Sequence, residues 1–141
     1  MAGQGAGAFA ILWLRAGAPP ALRYGVALND AGYFWEAQEV LEAVSAAAPQ
    51  GGRERILLRA CIQIASANLK LRIRKPRATA RLWGEALAAI KRLLSRRSSA
   101  AGDGFVERFP VAHLAALLEA RLVQATWSKT DWIAIGSIGK I

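Results

Sequence analysis

The sequence predicts an all-α protein that folds as a single-domain bundle of four to five helices, mostly antiparallel to their neighbours. Alanine, leucine, arginine and glutamate are prominent in the composition, and all four are strong helix formers. Apolar residues make up 54% of the 141 residues, which is enough to build one core. Proline and glycine residues separate the predicted helices, and the connections between these helices are short, which favours antiparallel neighbours. We place the bundle in residues 19–128.

The first helix is predicted to begin at Pro19-Pro20, because proline is tolerated in a first helical turn, and to end near residue 29. Asn29 or Asp30 then suits the N-cap of the second helix, which we place at residues 31–47. Apolar residues recur on one face of this second helix with helical spacing, so they predict a core-facing stripe. The stripe consists of Tyr33, Ala37, Val40, Leu41 and Val44.

Three further helices follow in the sequence. Residues 53–74 carry no charge between positions 60 and 69, and a helix that is apolar on all sides belongs in the centre of a bundle. A fourth helix is predicted at residues 77–95, and its core-facing residues are Leu82, Leu87, Ile90, Leu93 and Leu94. A fifth helix is predicted at residues 110–127, and its stripe consists of Val111, Leu114, Leu118, Leu122 and Ala125.

Apolar segments flank the bundle on both sides. We predict that residues 1–18 form a flexible lead, within which residues 9–14 have the sequence FAILWL. This segment is shorter than the ~20 residues a membrane span needs, and no basic residue precedes it as in a signal peptide. We therefore expect no membrane span, and the segment either remains a flexible lead or docks on the domain. The tail at residues 129–141 is apolar and interrupted by glycine, so it docks, pairs with a second chain, or frays.

Charge and cysteine usage narrow the functional classes. The net charge of +9 is compatible with nucleic acid or an anionic membrane as a partner. Arginine greatly outnumbers lysine and alanine is abundant, a bias that GC-rich codons also produce, so we discount this charge as functional evidence. The single cysteine, Cys61, excludes a disulfide within the chain and fits a reducing cytoplasm. Its apolar surroundings in the sequence predict a small buried side chain.

A cluster of carboxylates on the second helix, in the stretch YFWEAQEVLE, raises the question of a catalytic site. Glu39 and Glu42 are spaced i, i+3, which is close enough to share a cation or a proton. Gln63 lies in the charge-free part of the third helix, where a buried amide needs hydrogen-bond partners. We predict that Gln38, Glu39 and Glu42 face inward and form a structural polar network with Gln63, which Arg59 helps to neutralise.

Metal-dependent chemistry has little support in the sequence. The only histidine, His113, is followed by Glu119 at a spacing that does not match a Glu-x-x-His metal motif. A zinc site rich in histidine is excluded because one histidine and one cysteine provide too few ligands. We therefore expect no metal and no cofactor.

Three stretches carry a family resemblance: ALNDAGYFWEAQEVLEAV, ACIQIASANLKL and RKPRATARLWGEAL. Across about residues 24–94 they resemble the bacterial and archaeal domain-of-unknown-function family 309. The resemblance implies a small helical bundle and draws attention to the first motif, which in this family contains a His-Glu-x-x-Glu core. The residues that match the family pattern are Asn29, Gly32, Tyr33, Phe34, Ala37, Glu39, Leu41, Glu42, Ile62, Gln63, Ala65, Ala67, Ala80 and Leu82.

The chain departs from the family pattern at positions that bear on function. Gln38 stands where the family usually has histidine, and Ser45 stands where tryptophan is common. Lys75-Pro76 replaces a Gly-Asn turn, and Thr79 replaces a glycine. Glutamine does not take up a proton near neutral pH, so an active site built on that histidine would have lost its base here. The substitution favours a structural network over catalysis.

The densest run of positive charge lies between the third and fourth helices. Its possible phosphate-binding residues are Lys70, Arg72, Arg74, Lys75, Arg77 and Arg81. No aromatic residues alternate with them, which favours a solvated corner. We predict a cytoplasmic, non-catalytic module for interaction with a protein or for self-association as a homodimer. The alternatives are a weak nucleic-acid or phosphate-binding protein through residues 70–81 and a metal- or ligand-dependent enzyme at Glu39 and Glu42.

Overall fold

The computed structural model describes residues 19–48, 52–95, 106 and 109–136 of the chain. Within these ranges the regular secondary structure is helical and no strand is present. None of the helices in this part of the chain is both long and apolar enough to cross a bilayer. The five helices are α1 (Pro20–Asp30), α2 (Phe34–Ala47), α3 (Arg53–Arg72), α4 (Pro76–Ser95) and α5 (Val111–Leu122). The predicted all-α, single-domain bundle is confirmed.

The helices pack in the order in which they occur in the chain. α3 lies between α2 and α4, α1 packs on α2, and α5 packs on α4. The directions of these neighbours follow from contacts between their ends. Arg72, at the end of α3, donates a hydrogen bond to the carbonyl of Gly32 just before α2, so α2 and α3 run antiparallel. Arg53, at the start of α3, donates to the carbonyl of Leu93 near the end of α4, so α3 and α4 do the same.

α3 is the central helix, as its charge-free sequence predicts. Side chains from α1, α2, α4 and α5 form one hydrophobic core with it, and Trp83 of α4 and Phe34 of α2 are the largest side chains that are fully buried. This burial on several faces explains why α3 lacks a polar stripe. Its buried residues are Leu57, Leu58, Ala60, Cys61, Ile64, Ala65, Ala67, Asn68 and Leu71.

The predicted core-facing stripes are wrong at Tyr33, Leu94 and Ala125, and Ala125 is exposed because it follows the end of α5 at Leu122. Tyr33 precedes α2 and is 56% exposed, whereas Phe34 is 1% exposed and takes the place in the core. The reason is that α2 begins at Phe34, so Tyr33 is its N-cap residue and lies outside the helical face. On α4, Leu94 is 42% exposed. Trp83 lies on the buried face of that helix and is inaccessible to solvent.

Cys61 is a buried core residue, as predicted, and its environment controls its chemistry. Burial raises the pKa of the Cys61 thiol from 9.0 to about 12, with a smaller contribution from the charge of Asp30. The thiol is therefore protonated in the folded protein. The folded-state pKa is raised, so the stability that this group contributes is fully present below pH 9.0 and is lost as the pH rises toward 12.

Alkylation of Cys61 by iodoacetamide at pH 8 is expected to be at least about a hundredfold slower in the folded protein than in denaturant. The thiolate is the reactive form, and both burial and the raised pKa suppress it. Mass spectrometry of timed samples measures the rate. Equal rates in buffer and in denaturant would show that the thiol is accessible and would contradict this prediction.

The chain after α5 returns across the bundle without regular secondary structure. Ile133 and Ile135 are 1% and 0% exposed and belong to the hydrophobic core. The described part of the tail is therefore docked, and the bundle extends past the boundary predicted at residue 128. The predicted flexible lead at residues 1–18 and the end of the tail at residues 137–141 lie outside the described residues.

Candidate functional site

The acids of α2 do not face inward, so the predicted polar centre is wrong. Glu39 and Glu42 are both exposed, and Gln38 is half-buried. The buried side of α2 is defined by Phe34, Ala37 and Leu41. At ~100° per residue Glu39 lies nearly opposite that side, and Glu42 lies about 100° or more from its centre. Their carboxylates are therefore hydrated.

Gln63 takes its partner from α4 instead of α2. Its Nε2 donates to Glu85 Oε1 at 3.2 Å, and Glu85 Oε2 also accepts from Arg81 Nη1 at 3.3 Å. Arg59 is exposed and lines the same shallow depression as Gln63 and Glu85. The structure thus places Arg59 and Gln63 in one depression, and the carboxylate that Gln63 contacts there belongs to Glu85. In the described part of the chain, no group of three or more His, Cys, Asp or Glu residues is placed to hold a metal ion.

The buried polar cluster of this bundle consists of Asn29 and Asn68, both 0% exposed, together with the half-buried Asp30. Asn29 and Asp30 form the end of α1, so the prediction that one of them caps α2 is wrong. The N-cap residue of α2 is Tyr33, whose side chain makes no capping hydrogen bond. Asn68 Nδ2 donates to Asn29 Oδ1 at 2.9 Å. Asn29 Nδ2 donates to Asp30 Oδ1 at 3.0 Å. We call these three side chains the amide cluster.

The amide cluster binds the backbone of the tail. Asn68 accepts from the Ile133 N–H at 2.9 Å and donates to the Ile133 carbonyl at 2.8 Å, so the side-chain amide pairs with this residue as a neighbouring strand would. Asp30 accepts from the N–H groups of Ile135 and Gly136 at 2.6 and 2.7 Å. A Cβ at Gly136 would come within 2.6 Å of Val26 Cγ1. The tail is thus held in close contact with α1 and α3.

The reasoning from sequence missed the amide cluster, although part of the signal was present. Asn68 lies in the same charge-free stretch of α3 as Gln63, so the need for partners of a buried amide applied equally to it. Asn29 and Asp30 have residue types that suit an N-cap, so their place just before the second helix favoured that local role over burial. Their partners in the tail are more than 100 residues away in the chain, which no local pattern reveals.

An apolar groove of about 600 Å³ opens along the face of α2 that carries Val40, Ala43 and Ala47. It runs between the start of α1, the second half of α2 and the start of α3. Two acids, Glu39 and Glu54, are among the residues that line it. Its main apolar lining residues are Pro19, Val40, Ala43, Val44, Ala47 and Leu58. The surface of this groove is suited to an apolar segment with positive charge beside it.

Comparison with known protein families gives a match for part of the chain. Residues 22–82 match the model of the family described as Domain of unknown function (DUF309). This region of the chain belongs to the family. The DUF309 match covers most of α1, all of α2 and α3, and the first part of α4. No curated protein and no solved structure gives a significant match to the chain.

The DUF309 region contains the whole amide cluster and most of the lining of the apolar groove. The tail that the cluster binds lies outside the matched residues, since it begins after α5. The family match therefore covers the residues that bind the tail but not the tail itself.

The basic corner, residues 70–81, lies within the DUF309 region, and some of its side chains make contacts inside the bundle. Arg72 donates to the Gly32 carbonyl and lies 4.2 Å above the centre of the Phe34 ring, a cation–π contact. Arg81 pairs with Glu85 one turn later on α4. The other cations of the corner are exposed, except for the half-buried Lys70; the exposed ones are Arg74, Lys75 and Arg77. Two of the six predicted phosphate-binding residues, Arg72 and Arg81, thus have side chains that contact other residues of the bundle.

Proposed function

We propose that this protein is a non-catalytic self-association module, in which the apolar groove of one copy binds residues 9–14 of a second copy. The observation that carries the proposal is the groove itself. Its lining between α1, α2 and α3 is mainly aliphatic, and it is large enough to take several side chains of a partner. Burial of such a surface is the main driving force of protein association.

The chemistry of the chain supports a second copy as the occupant. Residues 9–14, FAILWL, are apolar and are followed directly by Arg15. Glu39 and Glu54 line the groove, so a segment with this flanking cation is complementary to it in charge as well as in polarity. The proposal needs no reaction at Glu39 or Glu42, whose carboxylates are exposed.

The test is the oligomeric state of the full chain, measured by light scattering over a range of protein concentrations. The wild-type protein is expected to dimerise. Ala43→Asp places a carboxylate in the apolar lining, and Trp13→Asp places one in the segment, so each is expected to weaken the dimer at least about tenfold. Ala46→Asp is the matched control, because Ala46 is exposed on the same helix but is not among the groove-lining residues.

Two outcomes would overturn the proposal. A wild-type protein that stays monomeric at every concentration would show that the groove does not mediate self-association, whether or not the protein's own segment covers it. Equal weakening by Ala43→Asp and Ala46→Asp would show that the dimer responds to added charge on α2 in general and does not depend on the groove.

A further inference from the structure

A second cavity, of about 710 Å³, lies at the opposite end of α3 from the apolar groove. We call it the tail pocket. One wall is the connection between α3 and α4, with Leu71, Arg74 and Pro76, and the other is the segment after α5. The residues from that segment are Ala125, Thr126, Trp127, Ser128 and Lys129.

The aromatic wall of the tail pocket is held rigidly. Trp127 Nε1 donates to the carbonyl of Arg121 at 2.7 Å. Its ring packs edge-to-face on Trp83, with the ring centres 4.9 Å apart. Trp83 is itself fully buried in the core, so its ring gives the Trp127 ring a fixed surface to pack against. A pre-organised apolar wall of this kind lowers the entropy lost when a ligand binds.

The charge at the tail pocket has one sign. Arg74 and Lys129 are the charged residues among the described lining, and both side chains are exposed at its edge. Asp131 is not among the lining residues, and its Oδ2 accepts from the Ser128 N–H at 2.8 Å. Lys75 and Arg77 follow Arg74 in the same corner without being among the lining residues, and they add to the positive potential.

The backbone of Arg74 is in an unfavourable conformation for an arginine. Its φ of 63° is in the left-handed region, and Arg74 is the one non-glycine residue of the described chain with a positive φ. The Arg74 N–H bonds to the Leu71 carbonyl and the Lys75 N–H to the Lys70 carbonyl, a helix end at which glycine is the usual residue. An arginine here places a cation beside the pocket at a conformational cost.

We infer that the tail pocket binds a small amphiphilic anion. The apolar body of the ligand packs on Leu71, Pro76 and Trp127, and its anionic group lies at the edge with Arg74 and Lys129. Pockets of this volume with a mainly apolar lining and a few polar groups are typical small-molecule sites. Charge-assisted hydrogen bonds from a guanidinium and an ammonium select the anion over a neutral analogue. This inference is independent of the apolar groove and of self-association.

The test uses two fluorescent dyes that differ by one charged group. The anionic probe is 8-anilinonaphthalene-1-sulfonate, and N-phenyl-1-naphthylamine is the same molecule without the sulfonate. Titrations of the full chain are expected to show a dissociation constant at least about fivefold lower for the sulfonate dye. Arg74→Gln and Lys129→Gln are each expected to weaken binding of that dye about fivefold, and the neutral dye by less than about twofold.

Lys75→Gln and Arg77→Gln are the matched controls, because each removes one positive charge from the same corner without altering the pocket lining. Ala43→Asp identifies any dye bound in the apolar groove. Equal binding of the two dyes would overturn the inference. Equal weakening by the control and lining substitutions would also overturn it, because that result indicates attraction to the net charge without a site. A loss that follows Ala43→Asp alone would assign the dye to the groove and overturn it as well.

Discussion

Replacing Asn68 with leucine is expected to lower the free energy of unfolding by about 3–5 kcal/mol. Leucine has the same number of side-chain heavy atoms as asparagine, with the same branching, but has no polar atom. The substitution leaves Asn29 Oδ1 without its Asn68 donor and the buried N–H of Ile133 without its acceptor. Each unpartnered buried polar group costs about 1–3 kcal/mol, and the loosening of the tail adds the lost burial of Ile133 and Ile135.

A loss of this size is a large share of the stability of a small domain, which is typically about 5–15 kcal/mol. Urea denaturation monitored by circular dichroism measures the loss in the free energy of unfolding. Gln63→Leu is the matched control, since Gln63 is an amide on the same helix and its Nε2 hydrogen bond to Glu85 is solvent-exposed. Its effect is expected to stay within about 1 kcal/mol. Equal losses for Asn68→Leu and Gln63→Leu would contradict the prediction that the stability of the bundle depends on Asn68 and not on Gln63.

Replacing Trp83 with alanine is expected to lower the free energy of unfolding by about 3–5 kcal/mol, through a different mechanism. Among the described residues Trp83 is the largest fully buried side chain, with 0% exposed. Its removal leaves a cavity between α4 and the core, and it takes away the ring on which Trp127 packs. Chemical denaturation with a circular dichroism readout again measures the loss.

Two further variants separate the causes. The indole N–H of Trp83 is buried and has no acceptor among the described residues, so Trp83→Phe removes an unsatisfied donor while keeping most of the ring volume. Trp83→Phe is therefore expected to cost less than about half of the alanine effect. Trp35→Ala, at a side chain that is 58% exposed, is expected to stay within about 0.5 kcal/mol. A large loss for Trp35→Ala would place it in an interface.

The candidate site was predicted from sequence only in part, and the geometry of α3 explains why. Gln63 and Asn68 lie in the same charge-free stretch, and reasoning from burial alone applies to both. They are about 140° apart around the helix axis, so they face different neighbours. Asn68 points to α1 and the tail, whereas Gln63 points to Glu85 on α4. The choice between them depends on which elements pack on each face of α3, which a helical wheel does not contain.

The acids of α2 show the same limit from the other side. The predicted stripe and the observed buried face share Ala37 and Leu41, and both acids lie about 100° or more from the centre of either. An inward position for Glu39 and Glu42 therefore required a second covered face on α2. Whether a helix is covered on a second side depends on which elements pack against it, and periodicity within one helix does not contain that information.

The sequence by itself determined the helical class, the approximate position of each helix, the central place of α3 and the buried state of Cys61. These properties follow from composition and from periodicity within single helices, which are local. Only the tertiary structure decided that Asn29, Asp30 and Asn68 bind the tail, and that the cavities lie between α1, α2 and α3 and beside Trp127. Those contacts join residues as many as 106 positions apart, and they form only after packing has brought the elements together.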